Sequence, residues 1–399
     1  MPFYGDPAPA PVILRALYNG SNDGTLYAIG AATATDGVWT RYGLNPVIQV
    51  GAGGTWDDAT VKDPCIIWDG SQFVVYYAGY DGTKYQIGRA TASVYSGPYT
   101  KAGGNPVLTV GSGGAFDDAG VNFPVVLYEP ADTGKEWKMW YGADEGTDQS
   151  IGYAYSTNGT SWTKVGQKVT KGSAATWEDE DVLPMAIYKD GATYNLFYGG
   201  RQGTTNPKWQ GGLVTFTDPE GVYTKDAGNP ILLARFNDAN STVSLTGTTA
   251  ASAIVTVTAT SGLNVNEPVV LADGNSQTEV MRIASIDSGT QVTLTDATVG
   301  TFTVAEGAVL RSFAYNSVLP RTIRAISGGF EMFGTPFQPV EDLSVGGTKL
   351  REGSFRWTAS ALDGPWTYDY STGLLFPLTA PGTTWDSIAA ENPSVIVAP

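Results

Sequence analysis

The chain has 399 residues, 23 Lys+Arg against 39 Asp+Glu, a formal net charge of −16 and no His. An acidic surface repels polyanions, which excludes nucleic acid as a partner; the missing imidazole excludes Ser–His triads and His-ligated zinc. Gly 50 and Pro 23, with Thr, Tyr and Trp plentiful, predict an all-β protein rich in turns, long enough for a large core or several domains.

In chain order, "APVILRALYNG", "TLYAIGAATATDG" and "VWTRYG" read as three strands, followed by "NPVIQVG" at 45–51. A corner phrase, "WDDATVKDP" at 56–64, opens a unit of about 60 residues. Within it "PCIIWDG", "QFVVYYAGYDG", "YQIGRATAS" and "PYTKAGG" are four short runs cut by Gly turns. "NPVLTVG" at 105–111 and "FDDAGVNFP" at 116–124 then start a second unit, "PVVLYEP", "EWKMWYGADEG", "SIGYAYSTNG" and "SWTKVG". A third follows "WEDEDVLP" at 177–184: "PMAIYKDG", "TYNLFYGG", "GGLVTFTD" and "VYTKDAG". The next corner is broken, beginning as "FNDAN" at 236–240 and resuming as "YNSVLP" at 315–320 before "PRTIRAISGG", "FEMFGTP", "GSFRWTASALDG" and "PWTYDYS". A last corner, "WDSIAAENP" at 385–393, leads into the orphan strand "NPSVIVAP".

Four antiparallel strands per repeat predict propeller blades. The N-terminal strands lack an inner strand and the C-terminus supplies only an inner strand, so the two ends are expected to build one split blade. The expected fold is a five-bladed β-propeller over 1–240 and 312–399. The stretch 241–311, almost free of aromatics and rich in Thr, Val and Ala, is expected to be a small inserted β-domain. Cys65, the single Cys, stands in an apolar strand and is expected to be a packed thiol. No cofactor is expected. No apolar run nears the ~18 residues that span a bilayer, and no signal peptide opens the chain, so synthesis is expected in a cytoplasm.

Split closure, blade length and "IGYAYSTNGTSWTKVG" resemble the five-bladed propeller glycosidases, the furanosidase-like superfamily of arabinanases, β-xylosidases, invertases and levansucrases. The resemblance covers about four-fifths of the chain and leaves out 241–311. It implies an Asp just before a Pro on one blade, a second on the next, and a Glu two residues before a Pro on the third. Here the residues before the prolines are Asn392, Asp63, Phe123, Leu183 and Leu319. Two before them stand Glu391, Lys62, Asn122, Val182 and Val318. No rotation of the ring gives Asp, Asp, Glu, so no catalytic residue is assigned. The inserted stretch also resembles small β-modules of bacteriophage virion proteins. That resemblance implies a virion component, assembled in the host cytoplasm, with a host cell-surface glycan or receptor and other virion proteins as partners.

The repeated corner acids (Asp57, Asp58, Asp117, Asp118, Glu178, Asp179, Asp238, Asp386) are expected to accept hydrogen bonds from their own following N–H groups, with the aromatic before them wedged between blades. Residues that break the repeat are better candidates for function. The turn between the second and third strands lengthens from "YDGTK" and "ADEGTDQS" to "GGRQGTTNPKWQGG" and "GTPFQPVEDLSVGGTKLREG", so blades three and four are expected to carry the binding face. There Trp209 is either a stacking plate for a sugar or packs onto the base of its own loop, with Arg201 and Lys208 beside it. Glu180 and Asp181 either face the central pocket or are surface acids. Asp63 and Glu391, near the axis, are placed to bind a hydroxyl or a cation. Three readings stay open: a virion appendage with a glycan- or receptor-binding face, a glycoside hydrolase with a rearranged carboxylate pair, and a purely architectural decoration protein.

Overall fold

The computed structural model describes residues 13–21, 26–35, 38–203, 208–232, 242–261, 263, 265, 268–274, 278–312, 317–326, 328–337, 355–364, 367–368 and 389–397. Among them every regular element is a β-strand except one 3-10 turn, Val304–Glu306. The protein is all-β. The corner residues 236–240 and 385–388, and the long turn at 338–354, lie outside the described residues.

Four-stranded antiparallel meanders recur. The first unit is Thr60–Trp68, Phe73–Tyr80, Tyr85–Ala92 and Thr100–Lys101. The second is Gly120–Tyr128, Trp137–Asp144, Gln149–Ser156 and Thr163–Val169. The third is Asp181–Asp190, Thr193–Gln202, Lys208–Phe216 and Thr224–Lys225. The fourth is Ser317–Ile326, Gly329–Phe337, Phe355–Ala359 and Thr367–Tyr368. In a separate sheet Ala389–Val397 pairs antiparallel with Leu14–Ser21, which is followed by Ala28–Thr35 and Val38–Arg41. The chain's last strand thus takes the leading place among its first ones.

Second strands such as "FVVYYAGY" and "WKMWYGAD" are buried along nearly their whole length. They lie between units with both faces covered, which is why they read as continuous apolar runs. Leading strands pack on one another in a cycle: Ala389–Val397 on Thr60–Trp68, then Gly120–Tyr128, Asp181–Asp190, Ser317–Ile326, and Ala389–Val397 again. All five line one cavity of about 170 Å³, through residues that include Cys65, Val126, Met185, Arg321 and Ser394. Ser394 Oγ accepts the Ile66 N–H at 3.0 Å, joining the last strand to the first unit.

The corners are built differently from the sequence expectation. Their second acids accept from an N–H four residues earlier, not from their own following groups. Asp58 takes Gly54 at 2.6 Å, Asp118 takes Gly114 at 2.6 Å, and Asp179 takes Ala175 at 2.8 Å. The first acids point inward and are buried. Asp57 binds Lys101 Nζ at 2.6 Å and Tyr77 Oη at 3.2 Å; Asp117 binds Lys164 Nζ at 2.5 Å and Tyr141 Oη at 3.1 Å. Glu178 binds Lys225 Nζ at 2.6 Å, with the Tyr198 phenol beside it. Burial, and then the neighbouring acid, push all three tyrosines well above the usual phenol range.

The corner aromatics need glycine beneath them. A Cβ on Gly79 or Gly88 would fall 2.3 or 2.5 Å from the Trp56 ring, and one on Gly200 2.4 Å from Trp177. Phe116 packs in a cluster drawn from the first and second units, which makes it a wedge between them.

Between the third and fourth units, strands from Thr242–Ser244 to Val309–Ser312 form a module whose core contains only its own residues, Val243 to Leu310. Its entry and exit strands pair, Thr242 with Arg311.

Three outcomes test this architecture. Ala175 sits at φ 68°, where the matching residues are Gly54 and Gly114, both at φ 85°. Ala175→Gly is expected to stabilise the protein by about 0.5–1 kcal/mol, the left-handed penalty less the added chain entropy, read as a higher denaturation midpoint. Deleting 392–399 should lower the melting temperature of the whole protein, because a leading strand and its contacts on both sides vanish; an unchanged temperature rules the pairing out. Burial raises the Cys65 thiol to about 11, against the opposing effects of the Val126 N–H and Arg321. At pH 8 about one molecule in a thousand then carries a thiolate, so native labelling by a thiol reagent should run at least ~100-fold slower than in denaturant. Equal rates would contradict the packed thiol.

Candidate functional site

Strands alternate in direction within each meander, so the starts of the leading strands and the turns between second and third strands share one end. That end is termed the mouth; the cavity lining begins just inside it, at Pro64 and Pro124. Two non-glycine residues within the leading strands are left-handed, Asp63 at φ 53° and Phe123 at φ 45°. Each occupies a β-bulge before a Pro, between Lys62 and Cys65 and between Asn122 and Val125. In the third and fourth units the register shift comes one residue later, between Pro184 and Ala186 and between Pro320 and Thr322. Left-handed backbone costs an ordinary residue about 1–2 kcal/mol, and such strain gathers where function needs a particular geometry.

Asp63 is tied down on two sides. Its N–H donates to Asn19 Oδ1 at 2.7 Å, and its Oδ1 accepts from Arg321 Nη2 at 2.8 Å. The two charged side chains are 0% and 7% exposed. Arg321 also lies over Phe123, 4.6 Å from the ring centroid. It therefore reaches from the leading strand of the fourth unit to that of the first, and these strands are not neighbours in the packing cycle. A buried carboxylate stripped of such a cation typically destabilises a fold by about 3–5 kcal/mol. Lys62, next in the chain to Asp63, places Nζ 4.4 Å from the Tyr85 centroid and 5.9 Å from that of Phe123. Tyr85 stacks on Tyr80 at 4.5 Å.

In the third unit Asp181 is buried and accepts from three donor groups on two residues. It pairs with Arg201 through both Nε and Nη2 and accepts the Gln149 N–H at 2.8 Å. The Gln149–Asp181 bridge joins the second unit to the third, so Asp181 is no surface acid. Glu180 is half-buried and its N–H donates to the Arg201 carbonyl at 3.0 Å. Trp209 stands opposite Arg201 in register and packs, half-buried, with Phe123 on Leu183 and Met185. Part of its surface is committed to the base beneath it. The Lys208 side chain lies outside the described residues. So does that of Glu391, although its backbone pairs in register with Asn19.

Asp63, Phe123, Arg321 and Lys62 thus converge, while Arg201, Asp181 and Trp209 form a second group that meets the first at Phe123. Sequence reasoning missed Arg321, Lys62, Phe123, Tyr80, Tyr85 and Asn19 as site residues. One signal was present: after the leading-strand prolines stand Cys65, Val125, Met185, Arg321 and Ser394, and only Arg321 is charged. Among the described residues no cluster of three or more His, Cys, Asp or Glu gathers to hold a metal. The mouth offers aromatic faces, cationic donors and amide groups, chemistry suited to a sugar ring and its hydroxyls. Glycoside hydrolysis takes two carboxylates flanking the bond, and Asp63 and Asp181 are each held by a guanidinium.

No protein-family model matches the chain. It is 24% and 27% identical over 204 residues to two uncharacterized proteins of Mycobacterium tuberculosis, from strains CDC 1551 and H37Rv, covering 47% of this chain. The chain spans 65% of the length of those curated relatives. Among solved structures it is similar to an exo-1,5-α-L-arabinanase from a bovine ruminal metagenomic library, with 11% identity, 91% of this chain and 94% of that one covered, and a TM-score of 0.47. A glycosyl hydrolase of Bacteroides ovatus gives 18% identity, coverages of 57% and 70%, and a TM-score of 0.46. An endo-1,4-β-xylanase of Bacteroides thetaiotaomicron gives 14% identity, coverages of 72% and 91%, and a TM-score of 0.43.

Proposed function

We propose that the chain is a five-bladed β-propeller of glycosidase type, closed by its own termini, whose mouth binds a carbohydrate without hydrolysing it. We place it on a bacteriophage particle, as an appendage facing a host cell-surface glycan or receptor; that setting rests on the composition of the 241–311 module. One observation carries the binding reading: aromatic rings and cations gather where the leading strands begin, and the carboxylate standing there, Asp63, is bound by Arg321. The cycle of leading strands around one cavity supports the five blades.

A glycoside hydrolase is the second reading. Asn19 holds the Asp63 N–H and pairs in register with Glu391, so two carboxylate-bearing residues meet at one seam.

Glycan-array or host-cell binding separates the readings. Trp209→Ala should weaken binding by about 2 kcal/mol, roughly thirtyfold, as truncating an aromatic anchor does. Val222→Ser, on an exposed turn at the opposite end, should leave it unchanged. Asp57→Ala is no suitable control, because it empties a buried ion pair. No glycan binding by the parent protein would sink the proposal. Release of sugar from arabinan, xylan, levan or sucrose that disappears in Asp63→Asn and Glu391→Gln would replace it with the hydrolase.

A further inference from the structure

The leading strands turn one backbone edge to the axis, and the seams between them are closed in different ways. By register with the second strands, Cys65, Val125, Ala186, Thr322 and Ser394 form one tier, opposite Tyr76, Trp140, Phe197, Phe333 and Leu17. One residue further along, the Ile66 N–H donates to the Ser394 hydroxyl at 3.0 Å and the Val126 N–H to the Cys65 sulfur at 3.3 Å. Each of these seams is stitched by the tier residue of the preceding unit. For the third and fourth units that residue is Val125 and Ala186, whose side chains have no acceptor. The Ile187 N–H nevertheless faces the same way as that of Ile66. Leu213, opposite Phe197, sends its N–H outward to Asn229 at 2.8 Å, as Arg89, opposite Tyr76, does to Asn105 at 2.9 Å. Ladder alternation then bonds Phe197 to Ala186 and leaves Ile187 facing the axis. Register places Ile323 likewise, and both residues line the cavity of about 170 Å³.

We propose that these two seams are closed by bound water, one molecule on the Ile187 N–H and another on the Ile323 N–H. A backbone N–H inside a fold is too costly to leave unmet. Beside each N–H the same residue turns its carbonyl to the axis, so the ligand has to accept and donate at once, as water does and a simple anion does not. At about 30 Å³ per molecule the cavity has room for about five waters. The unstitched seams are the ones where neighbouring units are bridged at the mouth, through Gln149–Asp181 and Trp209–Ser317. Met185 lines the cavity and also belongs to the base on which Trp209 packs, so the hydrated axis and that base share a side chain. The assignment does not depend on what the mouth binds.

The experiment is a high-resolution crystal structure of the full chain, with a bromide-soaked crystal beside it and melting of four variants. A water should stand within ~3.2 Å of the Ile187 nitrogen and another of the Ile323 nitrogen, and none on the Ile66 nitrogen, which Ser394 already holds. Val125→Thr and Ala186→Ser supply the missing hydroxyls. Each should displace its water and melt within ~2 °C of the parent, or higher. Val214→Thr and Ala154→Ser put the same hydroxyls among apolar side chains that are 0% exposed, and should melt lower by more than ~2 °C. No water on either nitrogen overturns the proposal, and a water on one alone overturns it for the other seam. Anomalous signal from bromide at the two nitrogens marks a halide site and also overturns it. So do Val125→Thr and Ala186→Ser variants that lose as much as the two controls, because the seams are then dry. If neither of those variants folds, the crystal structure of the parent chain decides alone.

Discussion

Burying a carboxylate requires a counter-charge and hydrogen-bond donors at fixed positions, and each of the first three repeats meets that requirement within itself. The acid comes from the corner before a unit's first strand, the phenol from its second strand and the ammonium from its fourth, as with Asp57, Tyr77 and Lys101. Each network therefore ties the beginning of a meander to its end, whatever its neighbours do. Lysines 101, 164 and 225 lie 5.7, 5.7 and 5.9 Å from the tyrosine ring of their network, so the same three groups make a second kind of contact. The phenol is held from the other direction where an Asn-Pro follows. Asn105 and Asn229 donate to Tyr77 and Tyr198, and their Oδ1 atoms take strand N–H groups of Arg89 and Leu213. A side-chain amide thus stands in for one more strand residue.

With the scaffold made self-sufficient, the residues at the leading-strand starts are released from holding the repeat together. Here the units differ. Lys62, Asn122 and Val182 occupy one equivalent position, and Cys65, Val125, Met185 and Arg321 another. The differences face the axis, where side chains from units that share no sheet can touch. Arg321 to Asp63 is such a contact, and it sets the electrostatics of the mouth. The acid elsewhere most exposed to speculation, Asp181, instead serves the junction of the second and third units.

Much of this was readable from the residues. The meanders follow from the spacing of Gly turns and β-branched runs, and the first three corner phrases do mark corners. The direction of the corner hydrogen bonds was not readable. "WDD" offers two carboxylates, and only the fold decides that the first turns inward to Lys101 while the second reaches back to Gly54. The contacts of Lys62 were hidden for a related reason. "YDGTK" looks like plain scaffold because it is short, yet Tyr85 meets Lys62 across the sheet, and Lys62 meets Phe123 across a unit boundary. Loop length points to elaboration in sequence. It says nothing of contacts made over 258 residues, such as Arg321 with Asp63.

The pairing of Ala389–Val397 with Leu14–Ser21 has a bearing on how the molecule is made. Synthesis at about 5–20 residues per second puts tens of seconds between the emergence of one strand and that of its partner. During that interval the earliest sheet has no leading strand, and the first unit lacks the Ser394 hydroxyl that caps Ile66. The nascent chain carries an open edge throughout that interval, so the emergence of Ala389–Val397 is the event that completes its oldest sheet.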